Sequence, residues 1–149
     1  MSSGTLSNYT TTLSCLAGGG ATANALSGTN GQVANTLVIG AGDTSKAIVC
    51  TYTNTKRPTL TLTKVSQGGI GTFTFTGDNG WTSQNITTAT AGVGVTGTLQ
   101  RLTNVSTATT ITESALPAGY TMTNVSCTGM GAGGTVTPNY SAGTFAFNA

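Results

Sequence analysis

The chain is predicted to be all-β, a sandwich of short strands, on three observations. Polar and apolar residues alternate with period two almost everywhere; glycine-rich clusters interrupt the alternation at short intervals; and no segment carries an apolar helical stripe with caps. Period two sends successive side chains to opposite faces, so each segment reads as a half-buried strand with one core face and one wet face. Many such strands at close spacing indicate a β-sandwich.

The alternation places strands near 8–15, 33–39, 46–54, 59–66, 71–76, 82–88, 93–102, 107–113, 120–127, 134–138 and 143–148. In 46–54, Ile48, Cys50, Tyr52 and Asn54 alternate with Val49, Thr51 and Thr53. In 59–66, Leu60, Leu62 and Lys64 alternate with Thr59, Thr61 and Thr63. Phe73 and Phe75 do so with Thr72, Thr74 and Thr76, and Phe145 and Phe147 with Thr144 and Ala146. The punctuation between strands is Gly18-Gly19-Gly20, Gly68-Gly69, Asp78-Asn79-Gly80 and Gly131 to Gly134.

Composition narrows the class. Of 149 residues, only 5% are charged, and the net charge is +2. Disorder needs a higher net charge and fewer β-formers, and a spanning helix needs about 20 consecutive apolar residues, so neither applies. The surface is wetted by Thr, Ser, Asn and Gly rather than by ions, and self-association meets little charge repulsion. Lys46, Lys56 and Arg57 are too few for a nucleic-acid patch. Met1 leads directly into Ser2-Ser3-Gly4 with no signal peptide. Either a leader has been removed, or the sequence is a window on a longer protein.

An imperfect internal repeat is visible. Tyr9-Thr10-Thr11-Thr12-Leu13-Ser14-Cys15 precedes Gly18-Gly19-Gly20, and Tyr120-Thr121-Met122-Thr123-Asn124-Val125-Ser126-Cys127 precedes Gly129 and Gly131. Lys56-Arg57-Pro58 is the only dense charge cluster, and its proline breaks a ladder, so the boundary falls there. On this reading residues 1–56 are the C-terminal part of one repeat and 57–149 the N-terminal part of the next. The second copy has no counterpart of Ile48 to Thr55, so each half is expected to be incomplete alone.

Cys50-Thr51-Tyr52-Thr53-Asn54-Thr55, then Pro58 to Val65, then Ile111-Thr112-Glu113-Ser114-Ala115-Leu116-Pro117-Ala118-Gly119-Tyr120 resemble tandem prealbumin-like repeats of bacterial surface proteins. These are similar to the collagen-adhesin B-type domains of pilins. The Glu-x-x-x-Pro-x-Gly-Tyr stretch is the most specific part. The resemblance implies an Ig-like, prealbumin-like sandwich, display outside the cell, and a stalk or fibre role. It also implies a spontaneous isopeptide bond between a first-strand Lys and a last-strand Asn, assisted by a Glu; the matching positions are Lys64, Asn54 and Glu113. Strand parity points all three toward core faces. There a desolvated Lys turns nucleophilic, and a protonated Glu can polarise the amide. The plainer readings are a Lys64 that snorkels to solvent, and a Glu113 that caps the turn before Pro117 or forms an ordinary buried ion pair with Lys64. Asn54 ends one repeat and Lys64 begins the next. The chain is therefore either cut out of phase from an array, or residues 46–55 complete the open sheet of a neighbouring molecule. Head-to-tail donation of that kind builds filaments.

The three cysteines form no CxxC pair and there is no His, which argues against zinc and for an oxidising compartment. Cys15 and Cys50 point inward, and a bridge between them would be worth about 3–4 kcal/mol on the chain-entropy model. Cys127 stands where Cys15 stands in the other copy and lacks an internal partner. It is either an inert thiol or the partner of a neighbour's Cys50.

Trp81 follows a hairpin-turn signal and reads as a core plug or, if exposed, as a platform for a sugar ring. Asp43 and Asp78 sit in Gly-rich loops, but three scattered carboxylates make a poor calcium site. The N-x-S/T sequons at Asn8, Asn85, Asn104, Asn124 and Asn139 are what so Thr-rich a chain yields by chance. No catalytic constellation or cofactor motif is present. The expectation is a non-enzymatic, extracellular structural subunit at the cell surface that self-assembles into a homopolymer, without nucleic acid or membrane insertion. The alternatives are an adhesin or lectin-like module binding a glycan or host surface, and a phage fibre or decoration domain.

Overall fold

The computed structural model describes residues 6–17, 24–25, 31–33, 36–38 and 46–148. The backbone divides into two compact units, Met1–Lys56 and Arg57–Ala149.

In the first unit a short 3-10 turn, Leu6–Asn8, leads into β1, Tyr9–Ala17. β1 pairs antiparallel with the two-residue β2, Asn24–Ala25, on one side and with β5, Ile48–Lys56, on the other. β3, Gly31–Val33, and β4, Thr36–Val38, form a separate hairpin. The β1–β5 register runs from Tyr9↔Lys56 to Ala17↔Ile48 without interruption. It sets Cys15 opposite Cys50, Leu13 opposite Tyr52 and Thr11 opposite Asn54 on one face. Leu13 and Cys15 are buried on that face, but burial fades along β5, and Tyr52 is 52% exposed. Asn54 is exposed too, so the inward-facing Asn54 that parity predicts is not found. Parity fixes which face a residue shares, not whether anything lies over it.

The second unit holds β6 (Thr59–Leu60), β7 (Thr63–Lys64), β8 (Thr72–Gly77), β9 (Gln84–Thr87), β10 (Val95–Thr96), β11 (Gln100–Arg101), β12 (Thr109–Ala115), β13 (Thr135–Asn139) and β14 (Thr144–Asn148). Five strands make one antiparallel sheet in the order β13-β14-β12-β8-β9. Its inner face carries Phe73 and Phe75, Ile86, Ile111, and Phe145 and Phe147; all are buried together with Trp81 and Leu102. Its outer face is threonine, and paired hydroxyls wet it without charge: Thr72 with Thr87 at 2.8 Å, and Thr74 donating to Asn85 at 2.8 Å. Pro138 is tolerated in β13 because that strand is an edge.

β6 pairs with β11 and β7 with β10, forming a two-stranded ribbon. Bonds from Leu102 N to Pro58 O, Gly97 N to Leu62 O and Gly92 N to Ser66 O carry the pairing along its length. The strands expected at 59–66 and 93–102 are thus each broken in two. Thr61 and Leu62 separate the paired segments on one side, while Gly97, Thr98 and Leu99 separate them on the other. The extra residue is a bulge. A Cβ on Gly97 would run into Gln84 and Ile86, so the bulge turns on a residue without one. Leu60, Leu62 and Val95 pack from the ribbon onto the aromatic face of the sheet.

The strand expected at 120–127 is absent: Thr121 to Thr128 carry no strand pairing. Val125 and Cys127 are half-buried between exposed Asn124, Ser126 and Thr128, but Met122 is buried beside exposed Thr123, so the alternation slips by one residue between Met122 and Val125. Tyr120 meets Phe73 edge-on at 5.3 Å, and Val125, Cys127 and Met130 pack against the core. Residues 124–128 have the pattern of a strand and, through Val125 and Cys127, its core contacts, but Thr121 to Thr128 have no strand partner among the described residues.

The Asp78-Asn79-Gly80 turn joins β8 to the stretch before β9, with Asn79 at φ 49° and Gly80 at φ 83°, as a type I′ hairpin turn requires. Trp81 N closes it on Asp78 O at 2.9 Å.

Phe73 is fully buried, so Phe73→Ala is expected to destabilise the second unit by about 3–5 kcal/mol. Trp81 is the only tryptophan and sits in the same core, so its emission during urea unfolding reads that loss. A loss under about 1 kcal/mol would mean that this core is not packed as described.

Candidate functional site

Lys64 ends β7 on the ribbon, and Glu113 lies in β12 opposite Phe75, in the middle of the sheet. The two meet across the sandwich, with Lys64 Nζ 2.7 Å from Glu113 Oε1 and the side chains 15% and 3% exposed. Lys64 Nζ also lies 4.2 Å from the centroid of the Phe73 ring, on its face, where a cation is attracted by the ring quadrupole. Glu113 Oε1 is buried, and the ion pair with Lys64 is the polar contact it makes among the described residues. The backbone supports the carboxylate: Glu113 N bonds Gly143 O at 2.8 Å, and a bulge at Ser114 follows. Lys64 therefore does not snorkel to solvent, and Glu113 does not cap a turn. The third residue expected with them, Asn54, lies in the first unit on exposed β5, where its Oδ1 accepts a 2.7 Å bond from Thr11.

A disulfide joins Cys15 and Cys50, whose Cα atoms stand 4.1 Å apart directly across the β1–β5 ladder. Cys15 is 2% exposed while Cys50 is half-buried. Cys127 is a free thiol. Burial pushes it up from its ordinary value, because the thiolate is disfavoured away from water.

Trp81 is 7% exposed, and its indole N–H points at Phe75 O, 3.4 Å away. A ring so placed cannot stack on a sugar, which corrects the ligand-contact role considered for it. Asp78 is engaged structurally: its Oδ1 takes the Thr110 N–H at 2.8 Å. Asp43 lies outside the described residues. Among the described residues no three His, Cys, Asp or Glu side chains gather as metal ligands. No helix among them is long and apolar enough to cross a membrane.

Two predictions follow from the buried pair and the thiol. Lys64→Met alone strands a buried carboxylate and is expected to lower stability by about 3–5 kcal/mol, whereas Lys64→Met with Glu113→Leu is expected to cost far less. Urea titrations of the two variants compare them, and equal losses would mean that the charges are not coupled. Alkylation of Cys127 with iodoacetamide is expected to be slower at neutral pH than for an exposed thiol, and to keep rising well into the alkaline range as the thiolate forms. A rate that levels off near neutrality would contradict the buried setting.

Comparison with known families matches the chain twice. Residues 1–56 and residues 60–149 each match a SpaA-type model described as a prealbumin-like fold domain. No curated protein and no solved structure matches. The two matches agree with the antiparallel, nearly helix-free architecture and with the pair of compact units. The chain belongs to the SpaA-type prealbumin-like fold domains, two of them in tandem, a kind of module that points to subunits of pili and other surface fibres.

Proposed function

We propose that the chain is a structural, non-enzymatic subunit of an extracellular surface fibre, and that copies join when a β5-type strand of one molecule completes the open layer of the next. One observation carries the reading: Val125 and Cys127 pack on the core in strand fashion while the backbone from Thr121 to Thr128 has no strand partner among the described residues. Unpaired backbone beside an apolar core is a template for another chain. Two features add support. Among the described residues β5 is an outer strand of its sheet, with Tyr52 and Asn54 exposed. The surface carries too few charges to keep copies apart.

In this reading 1–56 and 57–149 are complementary parts of successive repeats. An incoming strand brings Asn54 toward the Lys64–Glu113 pair. Lys64 Nζ then attacks the Asn54 side-chain carbonyl carbon. The new C–N bond forms, the C–Nδ2 bond breaks and ammonia leaves, with Glu113 carrying the proton from the lysine to the leaving nitrogen. The adhesin alternative loses its aromatic platform with the burial of Trp81.

Thr123→Pro and Asn124→Pro change exposed positions and remove successive backbone N–H groups, which point to opposite sides of a strand. One of the two is expected to reduce polymers seen by electron microscopy at least tenfold while leaving the monomer folded. Full assembly in both variants would overturn the strand-accepting reading. Intact mass under reductant reads the amide separately: each link is expected to lack one ammonia, and polymers at the unmodified mass would leave strand pairing alone to hold them.

A further inference from the structure

The two halves of the internal repeat differ in one respect. Tyr9–Ala17 has its strand partner and a disulfide; among the described residues its counterpart in the second unit has neither. Aligned on their cysteines, Leu13 corresponds to Val125 and Cys15 to Cys127, and both members of each pair face the core. The partner of the first copy is known from the structure: it is β5, with Cys50 across from Cys15 and Tyr52 across from Leu13.

Resting on the strand-accepting reading, we infer that the occupant of the Thr121–Thr128 segment is β5 of a second copy of this chain, docked with Cys50 opposite Cys127 and Tyr52 opposite Val125, and latched there by thiol–disulfide exchange.

The covalent step needs no oxidant. Cys127 Sγ, having lost its proton, attacks Cys50 Sγ. The Sγ127–Sγ50 bond forms and the Sγ50–Sγ15 bond breaks. The electron pair leaves on Cys15 Sγ, which takes up a proton and becomes the free thiol. One disulfide is consumed and one is made. Cys50 is the sulfur open to attack, being half-buried, whereas Cys15 is enclosed. β5 keeps its register with β1 on one edge and offers the other edge, which no described strand occupies, to the Thr121–Thr128 segment. The gain is cover for the end of β5 at which Tyr52 is 52% exposed. Exchange at Cys50 therefore selects a register rather than merely tying two chains together, because a one-residue slip would turn Cys127 and Cys50 to opposite faces.

The test mixes equal amounts of ordinary and nitrogen-15-labelled chain in mildly alkaline buffer, alkylates the free thiols and maps disulfide peptides by mass. The expected result is a Cys127–Cys50 peptide pair, about half of it carrying one labelled and one unlabelled member, with Cys15 newly alkylated. With Asn54→Ala to remove the amide, non-reducing gels should then show a ladder that collapses with reductant. On that background Cys127→Ser, and Cys127→Ala should the serine variant fold poorly, are expected to assemble without the ladder. Assembly with only the Cys15–Cys50 peptide would overturn the latch and leave the strand-accepting reading standing. A chain that stays monomeric at every concentration, with Cys127 alkylated throughout, would overturn both. A Cys127–Cys15 peptide in place of Cys127–Cys50 would overturn the register.

Discussion

A sheet with one aromatic face has to be covered, and the second unit is organised around that requirement. Phe73, Phe75, Ile111, Phe145 and Phe147 line the inner face of five strands. Burying side chains of this size contributes about 1.5–3 kcal/mol each, so the face cannot be left in water. What lies over it is slight: a two-stranded ribbon interrupted by a bulge, and a segment after Tyr120 with no strand partner among the described residues. The rest of the molecule's chemistry follows from that imbalance. Apolar contact holds the Tyr120–Met130 segment on the core, while Thr121 to Thr128 have no strand partner among the described residues.

The scarcity of charge sharpens the role of the Lys64–Glu113 pair. The chain contains three acidic residues, and one of them is buried beneath the ribbon against a lysine that itself lies over a phenylalanine ring. Such a pair is a weak source of stability, because the desolvation of both ions offsets much of their attraction. Its value is positional. It pins the ribbon to the sheet at one point. Elsewhere threonine does the work that ions do in most surfaces, satisfying itself through neighbouring hydroxyls.

Much of this was legible in the sequence, for reasons particular to each element. Phe73 and Phe75 announce β8, and Phe145 and Phe147 announce β14, because strict alternation of aromatic and small polar residues admits no other period. Glu113 shares a face with Ile111, so its burial follows from β12 being a strand at all. The Tyr-to-Cys repeat makes the two-part organisation visible. Other features were not legible. A bulge needs one extra residue on one side of a ladder, and neither strand alone reveals that Thr96 to Gln100 is longer than its partner. Alternation likewise cannot tell whether a strand finds a neighbour, so 120–127 reads as a strand from its side chains while its backbone is unpaired. Asn54 failed for the same reason: parity assigned the face, but burial needs something on the other side of it.

The central claim is that the segment from Thr121 to Thr128 awaits a strand. Hydrogen–deuterium exchange of its backbone amides tests this most directly, in dilute monomer and in assembled protein. The account predicts that these amides exchange at least about a hundredfold faster than those of β8 and β12 in the monomer, and become as slow as those strands on assembly. Amides already protected in the monomer, or still exchanging fast in the polymer, would contradict it.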